Sequence, residues 1–223
     1  MSGPGAPELP PRDCPACPRL VAYRRANRQA HPDWWNDPVP PWGSPRARLL
    51  VVGLAPGLRG ANRTGRPFTG DYAGTLLYET LIRHGFAAGR YGGDPSDGLR
   101  LQDCRIVNAV RCAPPANRPI AREIRTCNRF LQSELACMPG LRAVLALGAV
   151  AHHAVVAACD LRPRPGFAHG ARTTLPNGAI LCDSYHVSRL NTNTGRLTAG
   201  MFDDIVTGLR RLVDAAGDAG VAG

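Results

Sequence analysis

The chain of 223 residues contains no lysine; all 27 of its basic residues are arginine. That absence removes the phosphate-loop signature G-x-x-x-x-G-K-[ST], in which the lysine reaches the terminal phosphates of a nucleotide. No apolar run is long enough to span a bilayer, and the opening MSGPGAPELPPRDC lacks a charged leader followed by a hydrophobic stretch. The expectation is therefore an intracellular, cytoplasmic protein with no membrane partner. A reducing compartment disfavours structural disulfides, so the eight cysteines are expected to be metal ligands or buried small hydrophobes.

What the chain does have is one domain's worth of apolar residues, 44% of the total, enough for a single α/β core. A Gly/Pro-rich segment over 1–11 is expected to be disordered, the domain to run over 12–216, and 217–223 to form a flexible tail. The formal charge of +10 and the pI near 9.8 suit a polyanionic partner. The abundance of Arg, Ala, Gly and Pro also fits a coding bias, which would raise the pI with no function attached.

The stretch VVGLAPGLRGANRTGRPFTGDYAG, from Val51 to Gly74, organises the rest. Apolar Leu49 to Val52 read as a buried strand, and the following glycines mark a loop at its carboxyl end, where open parallel sheets place ligands. Asn62, Arg63, Arg66, Phe68 and Asp71 furnish that loop with amide, cationic, aromatic and carboxylate groups. A crossover loop without chemistry would carry the glycines equally well.

Three further strands are expected at CRIVNAV, RAVLALG and AILCDS, with helices over about 19–29, 72–86, 120–137 and 197–215. The first helix, RLVAYRRANRQ, has a basic face that is either solvated or turned to phosphate. Trp34, Trp35 and Trp42 are expected in the core or a lid, and His152 and His153 at the surface or in packing. Asn108 interrupts an apolar strand near its end, which requires a partner for its amide, in the backbone or in a ligand. His186 opens a polar loop, HVSRLNTNTGR, after the fourth strand. Cys14 and Cys17 form a C-x-x-C, and Cys112 and Cys127 a wider pair; four thiolates would suit a tetrahedral zinc or a four-iron cluster, and spacing does not choose between them.

Three polar segments thus follow three strands, all on the ligand-binding side of a doubly wound sheet. GLAPG with NRTGRPFTGD, NAVRCAPPANRP and HVSRLNTNTGRLT together resemble the motifs of the uracil-DNA glycosylase superfamily, in its iron–sulfur branch, family 5 or type b. Val187 departs from the pattern, since superfamily members often carry Pro after this His. The resemblance implies a single-domain α/β fold, with a central four-stranded, mainly parallel sheet flanked by helices in three layers. It also implies that Cys14, Cys17, Cys112 and Cys127 hold a [4Fe–4S] cluster.

The implied activity is DNA repair: a deaminated base, uracil and also hypoxanthine or xanthine, is flipped out and its N-glycosidic bond hydrolysed. Phe68 would stack on the base, Asn108 would read its edge, and the backbone around Ala55 and Gly57 would complete the pocket. His186 would stabilise the departing anion, Asp71 would position water or stabilise the sugar cation, and Asn62 would share that work. Leu190 would fill the gap in the stack, with Arg189 and Arg196 on flanking phosphates. The partner is uracil-containing DNA, double- or single-stranded, met by a monomer that is associated with the nucleoid when acting. Two other readings are a non-catalytic DNA-binding module and a zinc-stabilised nucleotide hydrolase.

Overall fold

A computed structural model describes residues 5–215. In chain order the first elements are α1 (Pro18–Ala30), β1 (Trp42–Gly43), β2 (Leu49–Gly53), α2 (Ala61–Thr64), α3 (Tyr72–Arg83), β3 (Ala87–Ala88) and β4 (Arg100–Leu101). They are followed by β5 (Cys104–Asn108), α4 (Ala121–Ala136), β6 (Ala143–Leu147), α5 (Ala149–Ala158), β7 (Arg172–Thr174), β8 (Ile180–Ser184), α6 (Arg189–Asn193) and α7 (Ala199–Asp214).

The four apolar runs of the sequence become β2, β5, β6 and β8, and they pair in parallel. Both faces of these strands are covered. Leu49 and Val51 enter one core cluster with Leu77, Leu81, Phe202 and Leu209, which come from α3 and α7. Leu50 and Val52 enter a second, with Leu131, Ala151 and Val155 from α4 and α5. Alternation along a strand sends successive side chains to opposite faces, so a strand with no polar alternation must be sandwiched between helices. The result is the expected three-layer α/β/α arrangement.

The sheet has six strands in the order β1-β5-β2-β6-β8-β7. The expected four form its centre; β1 and β7 add short antiparallel edges. At two and three residues they are too short to show any hydrophobic period. A small hairpin of β3 and β4 escaped notice for the same reason. Because β5 and β6 flank β2 on opposite sides, the crossovers diverge at β2, and a crevice opens at its carboxyl end.

Residues 5–11 form no helix or strand; Glu8 N donates to Ser133 Oγ at 2.7 Å and Pro10 lines a cavity beside α1. The expected tail over 217–223 lies outside the described residues. Of the arginines of α1, Arg24 is buried, while Arg19 and Arg25 are exposed and Arg28 half-buried; Arg19 forks onto Glu123 with both bonds at 2.7 Å, and Arg28 pairs with Asp13 and Asp37.

Candidate active site

The Gly-rich loop after β2 folds around a carboxylate. Asp71 immediately precedes α3, and its side chain lies against Gly57 and Gly60. A Cβ built on Gly60 would stand 2.8 Å from Asp71 Cγ, and one on Gly57 2.9 Å from Oδ2. These two glycines are therefore required by close approach. Asp71 Oδ1 is buried without a hydrogen-bond partner, and burial pushes the pKa of the carboxyl up. A carboxylate at the centre of the loop also opposes its use as a phosphate cradle.

Gly53, the last residue of β2, works in the same way for two other groups. A Cβ there would lie 2.8 Å from Phe68 Cε2 and would collide with Asn108 Oδ1; its absence lets the ring and the amide lie over the strand end. Phe68 is held at φ 51° by its surroundings: its carbonyl accepts from Tyr91 Oη at 3.1 Å, and Tyr78 Oη donates to the neighbouring Pro67 carbonyl. Arg66, expected to face a ligand, instead forks onto Asp97 at 2.9 and 2.7 Å and stacks over Trp42 at 4.7 Å. It clamps the loop to the segment leading into β4.

His186 follows β8 and faces Phe68, with ring centroids 6.2 Å apart. Its carbonyl accepts from Asn191 Nδ2 at 2.8 Å. Burial alone lowers the imidazole pKa to about 4, so the ring is neutral at physiological pH and one nitrogen carries a proton to donate.

Phe68, Asp71, Asn108 and His186 all line a single cavity of about 420 Å³, together with Ala55 and Gly57 of the loop. The cavity also contains residues that sequence reasoning did not single out: Tyr72, Asn117 and Ser188. Asn117 is reached by a 3-10 turn, Pro115–Asn117, in which Ala116 and Asn117 both have positive φ. Its Oδ1 accepts from Leu58 N at 3.3 Å, so that amide is engaged by the protein rather than facing the cavity alone. The Pro-Pro pair before it was the available signal of a turn.

Asn62 is absent from the cavity wall. Its amide donates to Asn36 Oδ1 at 2.9 Å, and Asn36 N donates to the Asn62 carbonyl, so it ties the tryptophan segment to α2. Arg189 lines the rim with its guanidinium 5.1 Å from the Tyr72 ring. Leu190 projects from α6 and is 72% exposed. Arg196 lies further out, 4.6 Å over Tyr185. His152 is fully buried, Nδ1 bonding Asp183 and Nε2 donating to the Pro165 carbonyl; of the two histidines of α5, only His153 is exposed.

Cys14, Cys17, Cys112 and Cys127 line a second, small cavity of about 20 Å³ with Leu20, Val110 and Phe130. Among the described residues no group of three or more His, Cys, Asp or Glu is arranged as a metal site. The donor set nevertheless fits a thiolate-ligated centre. Arg24 Nη1 lies 3.5 Å from Cys112 Sγ and Arg111 N donates to Cys127 Sγ at 3.4 Å, which are bonds that favour sulfur bearing charge. Burial raises the Cys17 and Cys112 pKa values to about 11 and about 12. Burial outweighs the nearby Arg24 guanidinium at Cys112, and a bound metal would be needed to hold these sulfurs as thiolates.

The strand ends thus gather an aromatic ring, an amide and a neutral imidazole around one cavity. Residues 40–210 match the family described as the uracil DNA glycosylase superfamily, and the chain belongs to that family. Its branch is given by its relatives. It is 46% identical to a type-5 uracil-DNA glycosylase of Thermus thermophilus over 89% of this chain and 93% of the relative. A type-5 uracil-DNA glycosylase of Pyrobaculum aerophilum is 42% identical over 93% and 90%, and one of Mycobacterium tuberculosis 45% identical over 89% and 78%. The chain is a member of the type-5 uracil-DNA glycosylases.

Proposed function

We propose that this chain removes uracil from DNA, receiving the extruded base in the 420 Å³ cavity and hydrolysing its N-glycosidic bond to leave an abasic site. The observation that carries this reading is the meeting of Phe68, Asn108, His186 and Asp71 around that one cavity. A base inside a duplex is out of reach of any such pocket, so extrusion comes first, at a cost of a few kcal/mol. Leu190, exposed on α6, fills the vacated space, and Arg189 and Arg196 hold flanking phosphates.

In the pocket, Phe68 stacks on the flat base and the Asn108 amide pairs with the O4 acceptor and the N3–H donor together, a pattern cytosine reverses. As the bond breaks, the sugar gains positive and the base negative charge. The neutral His186 donates to base O2 from a site fixed beforehand, which stabilises that anion without reorganisation. Asp71, desolvated and with Oδ1 unpartnered, is free to accept from the attacking water and to stabilise the sugar cation. Ala55 and Gly57 shape the wall beside the base. Asn62 contributes at one remove, by anchoring α2 through Asn36.

Cys14, Cys17, Cys112 and Cys127 would hold a [4Fe–4S] cluster, which when bound supplies a cross-link between the amino-terminal segment, the loop after β5, and α4. Hypoxanthine and xanthine, which the resemblance to the family implies, are included among the proposed substrates. The protein acts as a monomer on double- or single-stranded DNA inside the cell; no described helix is long and apolar enough to cross a membrane.

Incubation with uracil-containing oligonucleotides, followed by detection of abasic sites, tests the reading, with hypoxanthine and xanthine substrates in parallel. Folded, iron-loaded protein that releases no base from either single- or double-stranded substrate would refute it and leave a DNA-binding module.

A further inference from the structure

Around the four cysteines the fold buries more positive charge than the protein itself neutralises. Arg111, 1% exposed, shares Glu134 with Arg105, and Glu134 is wholly buried. Two guanidiniums and one carboxylate leave one positive charge over. Among the described residues Arg24, 5% exposed, reaches only the Cys14 carbonyl at 3.0 Å and Cys112 Sγ at 3.5 Å and pairs with no carboxylate. That adds a second. Both arginines line the thiol cavity, and each has a buried N–H without a partner, Arg24 Nε and Arg111 Nη1.

An uncompensated buried charge is costly, so two of them lining one cavity would be a standing defect. Four thiolates around a doubly charged centre, whether a cluster core or a zinc ion, carry two negative charges in total. The excess of the protein and the excess of such a site cancel.

We propose that Arg24 and Arg111 are the built-in counter-ions of a four-thiolate metal site, stabilising the charged centre through their guanidinium groups. This rests on the metal reading of the preceding section and adds residues to it. Arg24 follows the C-x-x-C in α1, and Arg111 immediately precedes Cys112, so each ligand segment brings its own cation. For a cluster, reduction adds a negative charge; losing one cation therefore lowers the reduction potential and loosens the metal.

Arg24 is the better position to test, because Arg111 also neutralises Glu134. Arg24→Gln keeps hydrogen-bonding reach and removes the charge; Arg24→Lys keeps the charge. The readouts are iron, sulfide and zinc per chain, the rate of metal release to a chelator, and the midpoint potential by film voltammetry, with circular dichroism to establish folding. The expected result is release several-fold faster and a more negative potential for Arg24→Gln, with Arg24→Lys within about twofold of the parent. Unchanged release and potential in Arg24→Gln overturn the proposal, and so does equal weakening in both variants, which would mark a packing role. If Arg24→Gln does not fold, a shifted potential in Arg24→Lys overturns it and an unshifted one supports it. Parent protein free of iron, sulfide and zinc would instead refute the underlying metal reading.

Discussion

Folding the chain removes the His186 imidazole from water, and its cost is measurable as a dependence of stability on pH. The ring falls from 6.5 to about 4, with burial as the cause; Phe68 and Gly148 pack beside it, and Asp71 and Arg189 share its cavity. Between those two values the unfolded chain binds a proton that the folded chain refuses. Stability is therefore complete above 6.5 and is lost as pH falls toward 4. Worked for this single group, the loss between about pH 7.5 and about pH 5 is at most about 2 kcal/mol. For a domain of this length that is roughly 4–8 °C in Tm. Other groups titrate over the same range, and Asp71, raised by burial, acts with the opposite sign. The comparison is therefore between the parent and His186→Gln, which keeps a donor but cannot titrate there. Urea unfolding at several pH values should show the parent losing stability relative to the variant as pH falls. Parallel curves, agreeing within roughly 0.3 kcal/mol throughout, would show that the imidazole is not held neutral and would remove its assignment as a neutral donor.

Gly60→Ala places a methyl group 2.8 Å from Asp71 Cγ and should slow single-turnover excision on the order of a hundredfold, the scale of a displaced general base; near-parental turnover would show that the carboxylate position does not matter. Leu190→Ala, at a side chain 72% exposed, should leave the unfolding free energy within about 0.5 kcal/mol of the parent and slow excision from duplex about tenfold while sparing single strands, where nothing must be unstacked. Equal losses on both substrates would reassign Leu190 to the pocket. Asp97→Ala strands the buried guanidinium of Arg66 and should cost about 3–5 kcal/mol in chemical denaturation, against under about 1 kcal/mol if the clamp is incidental.

Much of the architecture was readable because β2, β5, β6 and β8 are apolar on both faces, a pattern that only a helix-covered parallel sheet satisfies. The carboxyl ends of those strands then located Phe68, Asn108 and His186 without coordinates, since topology alone brings strand ends to one side. Residues whose role depends on a partner far along the chain were not readable. Arg66 and Asn62 were legible as polar groups of the loop, whereas their partners Asp97 and Asn36 were not. Asn117 was hidden for a different reason: two consecutive non-glycine residues of positive φ aim it, and no periodicity forecasts that.

Ala55 forms part of the wall of the base cavity and also packs on Leu20, Val110, Cys127 and Phe130 beside the thiol cavity. Ala55 therefore stands between the base cavity and the apolar residues that line the thiol cavity, so that a change in packing on the sulfur side bears directly on one part of the wall of the other chamber.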